Sequence, residues 1–342
     1  MVLCVKAAMK DAQRVKQHLY GHGLFDRGYR HGKEGGFVLF PVTGRFRSSL
    51  PVTFVERELE EAPAKGGLKE RLADALTEEE RDSLTSSFDI VGSIAILEID
   101  EALLPKERLI AAAILADNRN VTTVLKKAGG HAGELRVQKM AFLAGIDTRE
   151  TVVVENGVRL RIDVEGVYYS VRSATERKRI ASLVRPGERV LVMFSGAAPY
   201  CCVIAKRTEA AEIVGIELNE KGHELGLVNV KLNKLKNVVL INDDVRDAVP
   251  MLAEKGIAFD RIVMPLPHTG HDFLDEAFSV AHRGTVIHLY DFEREGEFEK
   301  AAEKAEAAAK RNNRTIRVLG IVPSGQHSPR VFRVCVDFEM LA

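Results

Sequence analysis

From Arg189 onward, apolar runs and turn residues alternate in a regular order. Val190-Leu191-Val192-Met193-Phe194 is apolar throughout and ends in the small-residue turn Ser195-Gly196-Ala197-Ala198, after which an apolar helix-like segment begins at Pro199. A second run, Ala211-Glu212-Ile213-Val214-Gly215-Ile216, stops at Glu217. Val238-Val239-Leu240-Ile241 is a third and leads into Asn242-Asp243-Asp244-Val245. The fourth, Phe259-Asp260-Arg261-Ile262-Val263, opens onto Met264-Pro265-Leu266-Pro267. Short apolar runs alternating with helical segments predict a parallel sheet covered on both faces. A small-residue turn after the first strand lets a ligand approach the backbone, and an acid at the tip of the next strand suits ribose hydroxyls. The glycine pattern is incomplete, since Ala198 stands where Gly is often found.

The flanking segments read as smaller α+β units. Val2–Val5 is a short strand, and Lys10–His22 an amphipathic helix with apolar Ala12, Val15 and Leu19. Phe37–Phe40 is a strand ended by Pro41. A mixed-charge stretch with Pro63 and Gly66-Gly67 predicts a linker over 54–67, and Leu68–Leu84 a helix. Ile90–Leu97 reads as one strand, or two with a break at Gly92. Lys106–Ala116 reads as helix, Val121–Leu125, 133–143 and 151–154 as strands, and Glu155-Asn156-Gly157-Val158 as a hairpin turn. Farther on, Arg177–Val184 is helical, Val286–Leu289 a strand and Glu295–Asn312 a long helix with a solvated face. Ile316–Ile321 and Val331–Phe338 fit an antiparallel edge pair. The expected domains are 1–53, a linker and helix over 54–86, an α+β domain over 87–166, and the α/β domain over 167–342.

Bulk properties narrow the class. The chain has 342 residues, 46% hydrophobic and 29% charged, which suits a soluble protein of two or three domains. No apolar run is long enough for a membrane span, and the start has no signal-peptide pattern, so the cytoplasm is the expected compartment and no membrane partner is expected. None of the four cysteines (Cys4, Cys201, Cys202, Cys335) has metal-ligand spacing; they read as buried thiols, and no metal is expected. Net charge is zero, which does not advertise a nucleic-acid binder. Basic clusters nevertheless occur at Arg27–Lys33, including Arg30 and Lys33, at Lys126-Lys127 and at Arg172–Arg179. Each can track phosphates or simply form a solvated surface.

The order of turn, first acid, second acid and Pro-rich loop resembles the layout of S-adenosylmethionine-dependent methyltransferases of the Rossmann-like class. A longer resemblance rests on Tyr168-Tyr169-Ser170-Val171-Arg172…Glu176-Arg177…Arg179-Ile180. To it belong Met193-Phe194-Ser195-Gly196, Ile216-Glu217-Leu218-Asn219, Asn229…Leu232-Asn233, Asp244-Val245-Arg246 and His288-Leu289-Tyr290-Asp291-Phe292. Phe40-Pro41-Val42-Thr43 and Phe88-Asp89-Ile90-Val91-Gly92 extend it to the head of the chain. Together these segments resemble the archaeal and eukaryotic tRNA (guanine-37-N1)-methyltransferases over essentially the whole chain.

That resemblance implies a fold and a set of roles. The fold is α/β, a Rossmann-like class I methyltransferase domain preceded by two small α+β domains. The implied cofactor is S-adenosylmethionine and the implied partner tRNA, bound by a monomer. Methylating N1 of guanine requires a base for its proton and a group to hold charge on O6. The resemblance places these roles on Glu176 and on Arg136. On residues alone, Glu176 reads equally as half of a helical ion pair, and Arg136 as a surface strand arginine. Around the donor it implies Phe194, Ser195, Gly196, Ala197 and Pro199 at the methionine end, and Glu217, Leu218 and Asn219 at the ribose. Asp244 and Val245 fall at the adenine, with Asp243 a competitor for Asp244. Pro265 and Pro267 face the acceptor. Arg172 and Arg177 match arginines that hold the tRNA backbone or organise the base near the donor, and Arg30 and Lys33 fall in the first domain, read as a tRNA-binding module. Tyr168 reads either as a stacking platform or as core packing beside Tyr169.

Two departures stand out. Val192 replaces an acid usual two residues before Phe194, and Pro265 replaces the Asn of the acceptor loop. Both resemble an archaeal branch of the family that acts in wyosine biosynthesis, some members of which also methylate a tricyclic precursor at the same position. The alternatives are transfer of an aminocarboxypropyl group from the same donor, nicotinamide-dependent dehydrogenation, and a non-enzymatic RNA-binding role. The intact Glu176-Arg177 pair argues against the first, and Asp244 with the incomplete glycine run against the second.

Overall fold

The structure, a computed structural model, describes residues 1–26, 28–47, 50–61, 68–85, 87–129 and 137–342. The chain forms two compact units, Met1–Thr77 and Glu78–Ala342.

In the first unit an antiparallel sheet runs in the order Gly32–Glu34, Phe37–Pro41, Val2–Ala8, Val52–Arg57. The helix Ala12–Gly21 buries Val15 and Leu19 against Val5, Ala7, Val38 and Phe40. The domain boundary expected at residue 53 therefore falls inside a strand. Val52-Thr53-Phe54 pairs with Ala7-Lys6-Val5, and Phe54 packs on the core. The charged residues that follow Phe54 disguise this strand as the start of a linker. The single helix expected over Leu68–Leu84 is two short ones, Leu68–Arg71 and Glu78–Ser83. Three acids open the second, as suits a fresh helix N-terminus.

The second unit, which opens with the helix Glu78–Ser83, contains the four-stranded sheet Asp89–Val91, Ile94–Leu97, Thr123–Lys127, Met140–Gly145. Gly92, at φ +57°, makes the break between its first two strands; a Cβ there would lie 2.7 Å from the Val152 carbonyl oxygen. The helix Glu107–Asp117 covers this sheet with Ile110, Ala111 and Ile114. Next comes the hairpin Glu150–Glu155/Val158–Asp163, turning at Asn156 (φ 47°) and Gly157 (φ 86°) as the sequence predicts.

A seven-stranded sheet completes the unit. Its strands are Arg189–Val192, Glu212–Glu217, Val238–Asn242, Phe259–Met264, Ala281–Arg294, Ile316–Ser328 and Val331–Met340. Numbered in chain order within the sheet, they lie 3-2-1-4-5-7-6. The first five run parallel, and Val331–Met340 runs antiparallel to both of its neighbours. Val331–Met340 and Ile316–Ser328 close the sheet as the antiparallel edge pair the sequence predicts, with Ile316–Ser328 outermost. Apolar strands covered on both faces account for the near-continuous burial of Val190–Met193 and Ile262–Met264. The helix Glu299–Arg311 lays Ala301, Ala305 and Ala308 on the sheet, and its Lys304 pairs with the buried Asp291 and Glu293 of strand Ala281–Arg294. Strand order reverses beside the first strand, so a crevice opens there at the carboxyl ends of strands 1, 2 and 4.

Candidate functional site

The turn after strand 1 is tightly wound. Phe194, Gly196 and Ala198 all take left-handed conformations, at φ 59°, 57° and 58°. Two of these are not glycine, and strain of this kind concentrates at ligand sites. Pro199 then starts the helix Pro199–Arg207, where its missing N–H is harmless.

The strand 2 acid closes on this turn. The Gly196 amide donates to Glu217 Oε2 at 2.5 Å, and the Asn219 amide to Oε1 at 2.8 Å. Burial pushes the Glu217 carboxyl above its ordinary range, and the two amides pull the other way. Asn219 caps the next helix and donates from its side chain to the Gly166 carbonyl at 2.9 Å. Asp244 caps the helix Val245–Glu254 and pairs with Arg246, which holds its carboxyl below the usual range.

A cavity lies where these elements meet. Of the expected donor residues, Phe194, Ser195, Gly196 and Pro199 line it from the turn, and Glu217, Leu218 and Asn219 from the end of strand 2. Asp244, Val245, Pro265, Pro267 and Tyr168 complete that set, and Asp243 is there too, so the competition between the two acids stays open. Ala197 is the exception: it is 1% exposed and packs under the turn. Phe194 and Phe273 meet edge to face at 4.9 Å and give the cavity an aromatic wall. A carboxylate braced by two amides beside apolar walls is a chemical match for a ribose and a flat heterocycle. Val192 is fully buried in the core, so nothing at that position faces a ligand.

The helix Ala174–Leu183 backs the cavity, and here the structure departs from expectation. Arg177, expected to hold tRNA, is 3% exposed; it makes two 2.6 Å bonds to Glu155 of the hairpin, and Tyr169 donates to the same carboxylate at 2.8 Å. This buried guanidinium lines the cavity itself, so it is not a surface contact for the tRNA backbone. Glu176 is also buried. It accepts Arg179 on both oxygens, at 2.7 and 2.8 Å, and Tyr290 Oη at 2.6 Å. Tyr290 lines the cavity; Glu176 lies one residue behind it. Arg172 is exposed and holds Asp89 at 2.9 Å. Tyr168 is 47% exposed and lines the cavity, so Tyr169 takes the packing role. In the first unit, Arg30 pairs with Glu60 on the surface and Lys33 is exposed. Arg136 lies outside the described residues.

Some contributors escaped the sequence reading. Arg333 lines the cavity and donates to Ser173 Oγ at 2.8 Å. Asn229 and Asn233, one helical turn apart, read the hairpin backbone like an extra strand. Asn229 bonds Arg161 N and O and the Ala197 carbonyl, and Asn233 bonds Arg159 N and O. Their spacing was visible, but not what they bind. Behind Glu176 runs a buried polar chain: Arg179 to Asp337 at 2.6 Å, Asp337 to His288 Nδ1 at 2.6 Å, His288 Nε2 to Arg261 at 2.7 Å. Arginine only donates, so Nε2 accepts and the His288 proton sits on Nδ1.

Residues 151–319 match the TRM5/TYW2 methyltransferase domain, 68–148 the TYW2 N-terminal domain, and 4–49 the tRNA methyltransferase 5 N-terminal domain. The chain is 35% identical to tRNA (guanine(37)-N(1))-methyltransferase Trm5b of Pyrococcus abyssi over 99% of both chains. The crystal structure of that protein superposes with a TM-score of 0.74, at 33% identity and 100% coverage of both. To tRNA (guanine(37)-N(1))/4-demethylwyosine(37)-methyltransferase Taw22 of Nanoarchaeum equitans it is 32% identical, over 64% of this chain and 88% of that protein. The complex of aTrm5 with tRNALeu matches with a TM-score of 0.71 at 26% identity, covering 99% of this chain and 100% of that one. By sequence, domain content and fold, the chain belongs to the tRNA (guanine-37-N1)-methyltransferase family of S-adenosylmethionine-dependent enzymes.

Proposed function

We propose that this chain transfers a methyl group from S-adenosylmethionine to N1 of guanosine 37 in tRNA. The observation that carries the reading is convergence at one cavity: the left-handed turn, the amide-braced Glu217 and the two aspartates meet Tyr168 and the helix of Glu176. In this reading Glu217 takes the ribose hydroxyls, Asp244 or its neighbour Asp243 the adenine, and Phe194–Pro199 the methionine end. Leu218, Asn219 and Val245 shape the walls, and Pro265 and Pro267 face the acceptor.

Bound S-adenosylmethionine supplies an electrophilic methyl group on a sulfonium. The protein has to seat the guanine, remove the N1 proton and steady the charge that moves to O6. Tyr168, exposed at the cavity, offers a π-face to the purine. Glu176 is the proton acceptor, oriented by Arg179. Arg136 is the partner for O6. Arg172, Arg30 and Lys33 contact tRNA phosphates, with residues 1–53 serving as part of a tRNA-binding module, and Arg177 positions the wall. The enzyme works in the cytoplasm as a monomer. Among the described residues no helix is long and apolar enough to cross a membrane.

A second reading adds methylation of a tricyclic wyosine precursor at the same position. The loop Pro265-Leu266-Pro267 lines the cavity without an amide side chain to discriminate guanine, and a second cavity adjoins it at Tyr168.

The test uses purified protein, a tRNA transcript and donor labelled separately on the methyl and carboxypropyl carbons, followed by digestion and nucleoside identification. Methyl label in 1-methylguanosine, lost when guanosine 37 is replaced, is the expected result. Carboxypropyl label, or methyl label elsewhere, would refute the proposal. A transcript carrying the wyosine precursor decides the second reading.

A further inference from the structure

We propose that Tyr290 is the proton conduit between the acceptor base and Glu176. This rests on the reading of Glu176 as the proton acceptor. Three observations support it. First, Tyr290 and Tyr200 line the donor cavity, whereas Glu176 does not. Second, Tyr290 Oη donates to Glu176 Oε1 at 2.6 Å and accepts from Tyr200 Oη at 3.1 Å. Third, the remaining oxygen of Glu176 is occupied. Arg179 binds both carboxylate oxygens and is itself fixed by Asp337. Swinging Glu176 into the cavity would strip Arg179 of a buried partner, a move that buried ion pairs resist.

The side chain is suited to relay and not to storage. Burial pushes the Tyr290 phenol well above its ordinary range, so it does not rest as the anion. The step is therefore a concerted double transfer. The N1–H bond breaks as a new O–H bond forms on Tyr290; the original Tyr290 O–H breaks as its proton passes to Glu176 Oε1. Tyrosine ends as it began, N1 has lost its proton and gained the methyl group, and Glu176 has become the neutral acid. Tyr200 donates to one lone pair of the Tyr290 oxygen and leaves the other for the N1 proton.

The experiment compares Tyr290→Phe, Glu176→Gln and the double variant with the wild type in single-turnover methylation of tRNA. Donor and tRNA affinities and melting temperatures are measured in parallel. Loss of general-base transfer removes about 10²–10⁴ in rate. The relay predicts a loss of this order for both single variants, unchanged donor and tRNA affinity, and a double variant no slower than Glu176→Gln alone. It also predicts a curved proton inventory for the wild type in mixed water and heavy water, since two protons move together. A slow Glu176→Gln with Tyr290→Phe at wild-type rate would overturn the relay and leave Glu176 as the base. Multiplicative losses in the double variant would also overturn it. Both single variants at wild-type rate would remove Glu176 from the chemistry altogether. Should Tyr290→Phe fail to fold or to bind donor, the wild-type inventory decides: a linear plot refutes the relay.

Discussion

Arg177 and Glu155 form a buried fork-to-fork pair, with Nε to Oε1 and Nη2 to Oε2 both at 2.6 Å. The pair joins the helix behind the cavity to the hairpin at Glu150–Glu155, and Tyr169 shares the same carboxylate. Arg177→Ala leaves that buried carboxylate with the Tyr169 hydroxyl but without its cation. Breaking a buried pair from one side costs about 3–5 kcal/mol. The expected outcome is a large drop in denaturant midpoint and melting temperature, with Arg177→Ala/Glu155→Leu recovering part of it. A variant as stable as the wild type that binds tRNA weakly would return Arg177 to direct RNA contact.

Glu217 is expected to set donor affinity. Glu217→Ala removes a charge-assisted acceptor and frees the amides of Gly196 and Asn219. Such bonds are worth about 1.5–3 kcal/mol, or roughly 10- to 150-fold in affinity. Calorimetry with S-adenosylhomocysteine should show that loss, with no binding of NAD by either protein. Unchanged affinity would remove Glu217 from the ribose site.

The exposed cations of the first unit should act through phosphates. Replacing Arg30 and Lys33 together by Ala is expected to weaken tRNA binding and to reduce the slope of log affinity against log salt by about 1 to 2. Donor affinity should stay constant, because those residues belong to the other compact unit. An unchanged slope would show that this face does not meet tRNA.

His288 predicts how stability depends on pH. Burial lowers its ring below the ordinary range, opposed by Asp337 and assisted by Arg261 and Arg179. Cys335, bonded to Asp337, stays a thiol, because burial raises it well above its usual range. A ring with a depressed folded value binds fewer protons in the native state than in the unfolded chain. Its contribution is complete above about pH 6.5 and declines as pH falls through that value toward the folded one. One proton bounds the slope at about 1.4 kcal/mol per pH unit. Denaturant midpoints at pH 7.5, 6.5 and 5.5 should fall in that order, and more gently in His288→Gln. Identical slopes in the two proteins would mean that other groups carry the dependence.

Local pattern was enough for the layered α/β order, the turn at Ser195–Ala198, the acids at Glu217 and Asp244 and the Asn156-Gly157 hairpin. Each is written in residues a few positions apart, whose periodicity and turn chemistry act before any long-range contact exists. The boundary near residue 53 was hidden because a strand's pairing partner, Val2–Ala8, lies far back in the chain. The helical ion pair read for Glu176 is present with Arg179, but which neighbour it would take, and the partner of Arg177, were out of reach. Both sit on one helix among Lys178 and Arg179, where local spacing offers several ion pairs of nearly equal worth. Only the packing of that helix against the hairpin and the last strands gives Arg177 to Glu155 and Arg179 to Glu176 and Asp337, and brings Tyr290 to Glu176. Burial then decides the outcome. Once water is excluded, an unpaired charge is costly, so the fold selects the single set of partners that satisfies every group.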